Sequence, residues 1–129
     1  MRFFKHNTAT CTSKEVALNR LARLNPTRMA EAFIRILGQY EEYSRFNSRA
    51  REAIEKGRED LFLDANFMRT NALEIVLVEI RRISECCERR YGASLNIPEN
   101  LTPEEMVDVI ADFCQLYNDS GCNNVAMFK

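Results

Sequence analysis

The sequence has no tryptophan, one histidine, three prolines and four glycines among its 129 residues. So few turn-formers cannot punctuate many short strands, which excludes an all-β sandwich or barrel. Nor do four scattered glycines make a phosphate-cradling loop. With His6 as the single imidazole, any Ser-His-Asp or Cys-His arrangement would rest on one residue near the start of the chain. The paired Glu-x-x-His motifs of di-iron bundles are absent.

Long uncharged apolar runs are missing as well. The longest, Ile75 to Val78, falls far short of the ~20 residues that span a bilayer. The opening MRFFKHNTATC lacks the apolar centre of a secretory signal. Five cysteines (Cys11, Cys86, Cys87, Cys114 and Cys122) are an odd number without framework spacing or a CxxC, which suits a reducing compartment. A zinc set written from His6, Cys11, Cys114 and Cys122 matches no finger or ribbon spacing. The expectation is a soluble, cytoplasmic chain with no membrane segment, no cofactor, no metal and no enzymatic chemistry.

What is present is helix signal. Thr12 with Glu15 reads as a capping box ahead of VALNRLARL, and Asn25-Pro26 ends that helix while offering a cap and an N1 proline to the next. From Pro26 to Lys56 no strong breaker occurs apart from Gly38. Positions 29, 33, 36, 40, 43, 47, 50 and 54 form a seam of alternating four- and three-residue steps, apolar or aromatic except at Asn47. Glu41/Arg45, Arg51/Glu55 and Glu52/Lys56 are spaced for ion pairs on the wet faces. Gly57 supplies the stop.

A second long helix is expected from about Glu59 to Tyr91, with the stripe Leu61, Ala65, Met68, Ala72, Val76, Ile80, Ile83 and Cys87. Asn71 with Glu74 marks a place where it would break, and Gly92 closes it. Thr102-Pro103-Glu104-Glu105 then opens a helix over 103–117 that buries Met106, Ile110, Phe113 and Tyr117. The fold class that follows is all-α: an elongated helical bundle built on a long αα-hairpin, with a short helix before and after it. Residues 1–129 form a single helical domain in this reading, with 1–11 and 122–129 as mobile tails.

Two features bear on function. A 31-residue helix spans about 47 Å, whereas a compact domain of this length is about 36 Å across. The long helices must therefore kink, at Gly38 or Asn71, or overrun their neighbours. Moreover, Leu73 and Leu77 lie beyond one edge of the second helix's stripe and Ile75 and Val78 beyond the other, so more than one neighbour has to cover it. Terminal helices of the same chain are one candidate cover and a second copy is the other. Arg69 and Glu79, inside or at the edge of the stripe, each need a partner if buried. Of the vicinal pair, Cys87 is expected to pack as a small apolar residue and Cys86 to sit at the boundary.

Charge is graded along the chain. Residues 1–58 carry twelve Lys/Arg against six Asp/Glu, and 91–129 carry one against six. The expectation is a non-enzymatic, protein-binding, coiled-coil-like module that self-associates as a homodimer or other homo-oligomer through Leu73, Ile75, Leu77 and Val78, acting as a small accessory or inhibitory protein on a larger assembly. The alternative is a nucleic-acid-associated accessory protein using Arg20, Arg23, Arg28 and Arg35 of the basic half. Residues 12–37 resemble a helix-turn-helix in outline, but the turn lacks its glycine and the second helix is too long.

Overall fold

A computed structural model describes residues 12–121 as four α-helices with no strand among them: α1 (Ser13–Leu24), α2 (Pro26–Glu55), α3 (Glu59–Tyr91) and α4 (Pro103–Asp119). The expected tails at 1–11 and 122–129 lie outside the described residues, as do His6, Cys11 and Cys122. This is an all-α bundle on a long hairpin, as the periodicities imply.

The caps explain the boundaries. Thr12 Oγ1 accepts the Glu15 N–H at 3.1 Å. Asn25 joins α1 to α2 by backbone alone, its N–H donating to the Leu21 carbonyl and its own carbonyl accepting from Met29. Its side chain makes no cap bond, contrary to expectation; proline at the first turn removes one of the free N–H groups that a cap would serve. At the hairpin turn, Gly57 sits at φ +66°. Gly57 N–H donates to Ile54 and Arg58 N–H to Ala53, the paired bonds of a Schellman closure, which needs a left-handed residue where glycine carries no Cβ penalty. Thr102 is the expected N-cap and forms a reciprocal capping box with Glu105, and α4 runs two residues past its expected end at 117.

Neither long helix is interrupted. α2 passes through Gly38 and α3 through Asn71 as regular α-helix, so the excess length appears as overrun. At 1.5 Å per residue the 30-residue α2 is about 45 Å long and the 33-residue α3 about 50 Å. α1 packs against α2, α3 and α4. α4 begins beside Tyr43, Asn47, Arg69 and Leu73 and ends with Tyr117 stacked on Phe33 at 4.2 Å between ring centres. Four helices therefore meet around the first half of α2 and the last two-thirds of α3. Beyond them the hairpin continues as a two-helix arm.

The hydrophobic core fills the four-helix part. Leu18, Ile36, Leu73, Val76, Leu77, Ile80, Cys87 and Tyr117 are its largest fully buried side chains. The segment between α3 and α4 runs back along α3, held by the Leu95 N–H to Ser84 Oγ (3.1 Å) and by Arg81 to the Pro98 carbonyl (2.7 Å). In the arm, by contrast, only Ala50, Ala53 and Ala65 are buried.

Candidate functional site

Two surfaces stand out, one apolar and one basic. The apolar one follows from where α1 and α4 stop. They cover one flank of α3, so Leu73 and Leu77 are 0% and 1% exposed. That corrects the expectation for these two residues: they pack inside the bundle and are not available to a partner. Ile75 and Val78, on the opposite flank, remain 41% and 45% exposed. The expected set is thus split by intrachain packing.

The exposed flank continues into the arm through residues outside the expected stripe. Phe67 is 68% exposed and Leu63 58%. Leu61 and Met68, which the stripe assigns to the interior, are exposed, and so is Ile54 of the α2 seam. Phe67, Asn71, Ile75 and Val78 follow one another at steps of four, four and three, and so share one helix face. The density of large apolar residues in LFLDANFM was a visible signal, but periodicity alone does not say which stripe a missing neighbour leaves uncovered.

Polar contacts fix the register of the hairpin. Arg69 donates to Asn47 across the interface at 2.7 Å and to Asn66 on its own helix at 2.9 Å, with its guanidinium 5.7 Å from the Phe62 ring centre. Asn47, the polar member of the α2 seam, is therefore the acceptor that the half-buried Arg69 requires. Glu79 takes a bidentate fork from Arg35 at 3.0 and 3.1 Å, and Arg82 lies 3.7 Å away. The hydrogen bond to Glu79 holds the Arg35 guanidinium above its ordinary pKa. Of the expected i,i+4 pairs, Lys56 meets Glu52 at 2.9 Å, whereas Arg45 pairs with Glu42 and not with Glu41.

The second surface is a cleft of about 290 Å³ between the end of α1, the start of α2 and the end of α3. Arg28 and Arg35 line it together with Arg82, Arg89 and Arg90. Arg20 and Arg23, expected to join the first two on a basic face, are exposed on α1 and do not line it. Cys86 is half-buried at its wall, with Arg89 at 3.4 Å from Sγ, while Cys87 is buried in the core. That division is the one expected of adjacent residues 100° apart on a helix. Cys114 is half-buried, and burial pushes its thiol pKa up.

Among the described residues no group of His, Cys, Asp or Glu is placed to hold a metal ion, and no helix is long and apolar enough to cross a membrane. No protein-family model, curated protein or solved structure matches the chain.

Proposed function

We propose that this chain is a non-enzymatic protein-binding module that pairs with a second copy of itself through the outer face of α3 and the two-helix arm. One observation carries the reading. In the arm the small residues Ala50, Ala53 and Ala65 face inward, while Ile54, Leu61, Leu63, Phe67 and Met68 face water. A stand-alone helical hairpin would place its large apolar side chains between the helices, where burying each contributes about 1.5–3 kcal/mol. The fully buried positions between these helices are instead alanines, with Phe46 and Phe62 half-buried, and the exposed large side chains are left for something else. Phe67, Ile75 and Val78 share one face of α3, so the exposed residues run from the arm onto the bundle, and apolar residues so grouped mark interaction surfaces.

Charge favours a second copy as the occupant. Residues 44–68 carry five Lys/Arg and five Asp/Glu, so two arms meet without net repulsion. The row at 67, 71, 75 and 78 has the spacing with which one helix packs along another. Nucleic-acid contact by Arg20, Arg23, Arg28 and Arg35 is not carried forward, because Arg20 and Arg23 do not line the cleft that Arg28 and Arg35 share.

Light scattering on the full chain, from low to high micromolar concentration, tests the reading. A dimer is expected. Ile75→Glu combined with Phe67→Glu should give a folded monomer, because both side chains are exposed within the protomer, whereas Leu77→Glu should unfold it. A wild-type chain that stays monomeric throughout that range removes the proposal.

A further inference from the structure

The arginine-lined cleft asks for a ligand of its own. Arg28 and Arg35 are seven residues apart on α2, as are Arg82 and Arg89 on α3, so each pair occupies one helix face about 10.5 Å apart along the axis. The hairpin is antiparallel, and the two rows flank the same opening, with Arg90 beside them. Among the described residues Glu79 is the only carboxylate lining the cleft. It is engaged by the Arg35 fork, with Arg82 sharing it at 3.7 Å. Among the described residues Arg89 reaches the Cys86 sulfur alone. Arg28 and Arg90 are exposed and make no hydrogen bond or ion pair among the described residues. Five arginines and one carboxylate line the opening among the described residues, an excess of positive charge at the rim, and like charges so gathered repel one another.

Below the rim the cleft is apolar. Leu21, Met29, Ala32 and Ile83 form its floor. The ligand that satisfies both layers is an anion with an apolar body. A carboxylate fills one guanidinium fork, as Glu79 does for Arg35. A phosphate monoester brings close to two negative charges and three acceptor oxygens, enough to engage several guanidinium groups at once. We infer that this cleft binds a small organic phosphate, its phosphoryl group among Arg28, Arg82, Arg89 and Arg90 and its apolar ester group on the floor.

A polymer fits less well. The volume of about 290 Å³ is at the small end for ligand pockets. Glu79 interrupts the positive row at its inner end, and Arg20 and Arg23, which would prolong it, lie outside the lining. Residues 91–121 bring six acidic residues and no Lys or Arg, which repels an extended phosphate backbone.

The test uses phenyl phosphate, inorganic phosphate, phenol and a ten-residue oligothymidylate, titrated calorimetrically into the full chain. Saturable binding of phenyl phosphate is expected, with inorganic phosphate about tenfold weaker or more and phenol not binding. Arg28→Ala/Arg90→Ala should lose at least about tenfold in affinity, and the control Arg20→Ala/Arg23→Ala should retain it. The wild-type protein supplies a readout free of substitutions: phenyl phosphate should slow alkylation of Cys86 but not of Cys114. The proposal is overturned by the absence of saturable phenyl phosphate binding, by equal affinity for inorganic phosphate, by equal losses in the two arginine variants, or by unprotected Cys86. It is also overturned if oligothymidylate displaces phenyl phosphate at lower concentration with a steep loss on adding salt, the signature of backbone binding.

Discussion

The four-helix end and the two-helix arm share the same two long helices and the same kind of amphipathic sequence, yet they use their apolar residues in opposite ways. At the bundle end α3 is enclosed on more than one side, and Leu73, Val76, Leu77 and Ile80 are all 1% exposed or less. In the arm the same helix has a single neighbour, and Leu61, Leu63 and Phe67 stand in water. A helix buries as much apolar surface as it has neighbours to receive it, so α1 and α4 decide, by where they end, which half of the hairpin is core and which half is surface.

Substitutions can break this contrast. Ile80→Ala in the bundle should destabilise the chain by about 2–5 kcal/mol, read from the urea midpoint at a concentration low enough to keep the chain monomeric, while Leu63→Ala in the arm should there stay within about 0.5 kcal/mol. Equal losses would mean that the arm is as tightly packed as the bundle. Next in size, Ser84→Ala leaves the buried Leu95 N–H without its acceptor and should cost about 1–3 kcal/mol, loosening the return segment over the bundle and leaving the arm unchanged.

Two glycine substitutions sharpen the comparison because they should differ in sign. Gly57→Ala forces a Cβ onto a residue at φ +66° and should cost about 1–2 kcal/mol. Its effect should appear as faster amide exchange near the arm's tip. Gly38→Ala sits in continuous helix where an added Cβ meets nothing within 4 Å, and should stabilise by up to about 1 kcal/mol. Hydrogen exchange on the wild-type chain adds a check on self-association: raising the protein concentration should protect amides of the arm and leave those of α4 unaffected.

The smallest effect concerns acid. Glu105 has a carboxyl pKa held below its ordinary 4.5, first by the Thr102 backbone N–H and then by the Thr102 side chain. A depressed pKa means the folded state favours the charged form. Its contribution is therefore complete above the ordinary value and is lost as pH falls through the lower, folded one. Glu105→Gln should narrow the gap between the melting temperatures at pH 7 and pH 3; an unchanged gap would show that the capping box does not contribute to it.

Much of this was legible in the residues. Thr12, Gly57, Gly92 and the Thr102–Glu105 box mark helix ends because capping is local chemistry, decided within one turn. The two long periodic segments likewise declare themselves. Less legible was the fate of Asn71, which resembles a cap but lies mid-helix, because a run of apolar residues on both sides is better buried by continuing than by breaking. The basic cleft was half visible: Arg28 and Arg35 stood out in the basic N-terminal half, whereas Arg82, Arg89 and Arg90 lie in a segment with more acidic than basic residues and join them only when the hairpin closes.

The order, type and approximate limits of the helices were thus determined by the sequence alone, through caps, glycines and a 3.6-residue period that act over a few residues. Which flank of α3 is core, and which arginines share an opening, was decided only in three dimensions. Both depend on residues distant along the chain: α1 and α4 arrive from opposite ends to cover Leu73 and Leu77, and nothing near Ile75 or Val78 in the sequence announces that none of the four described helices covers them.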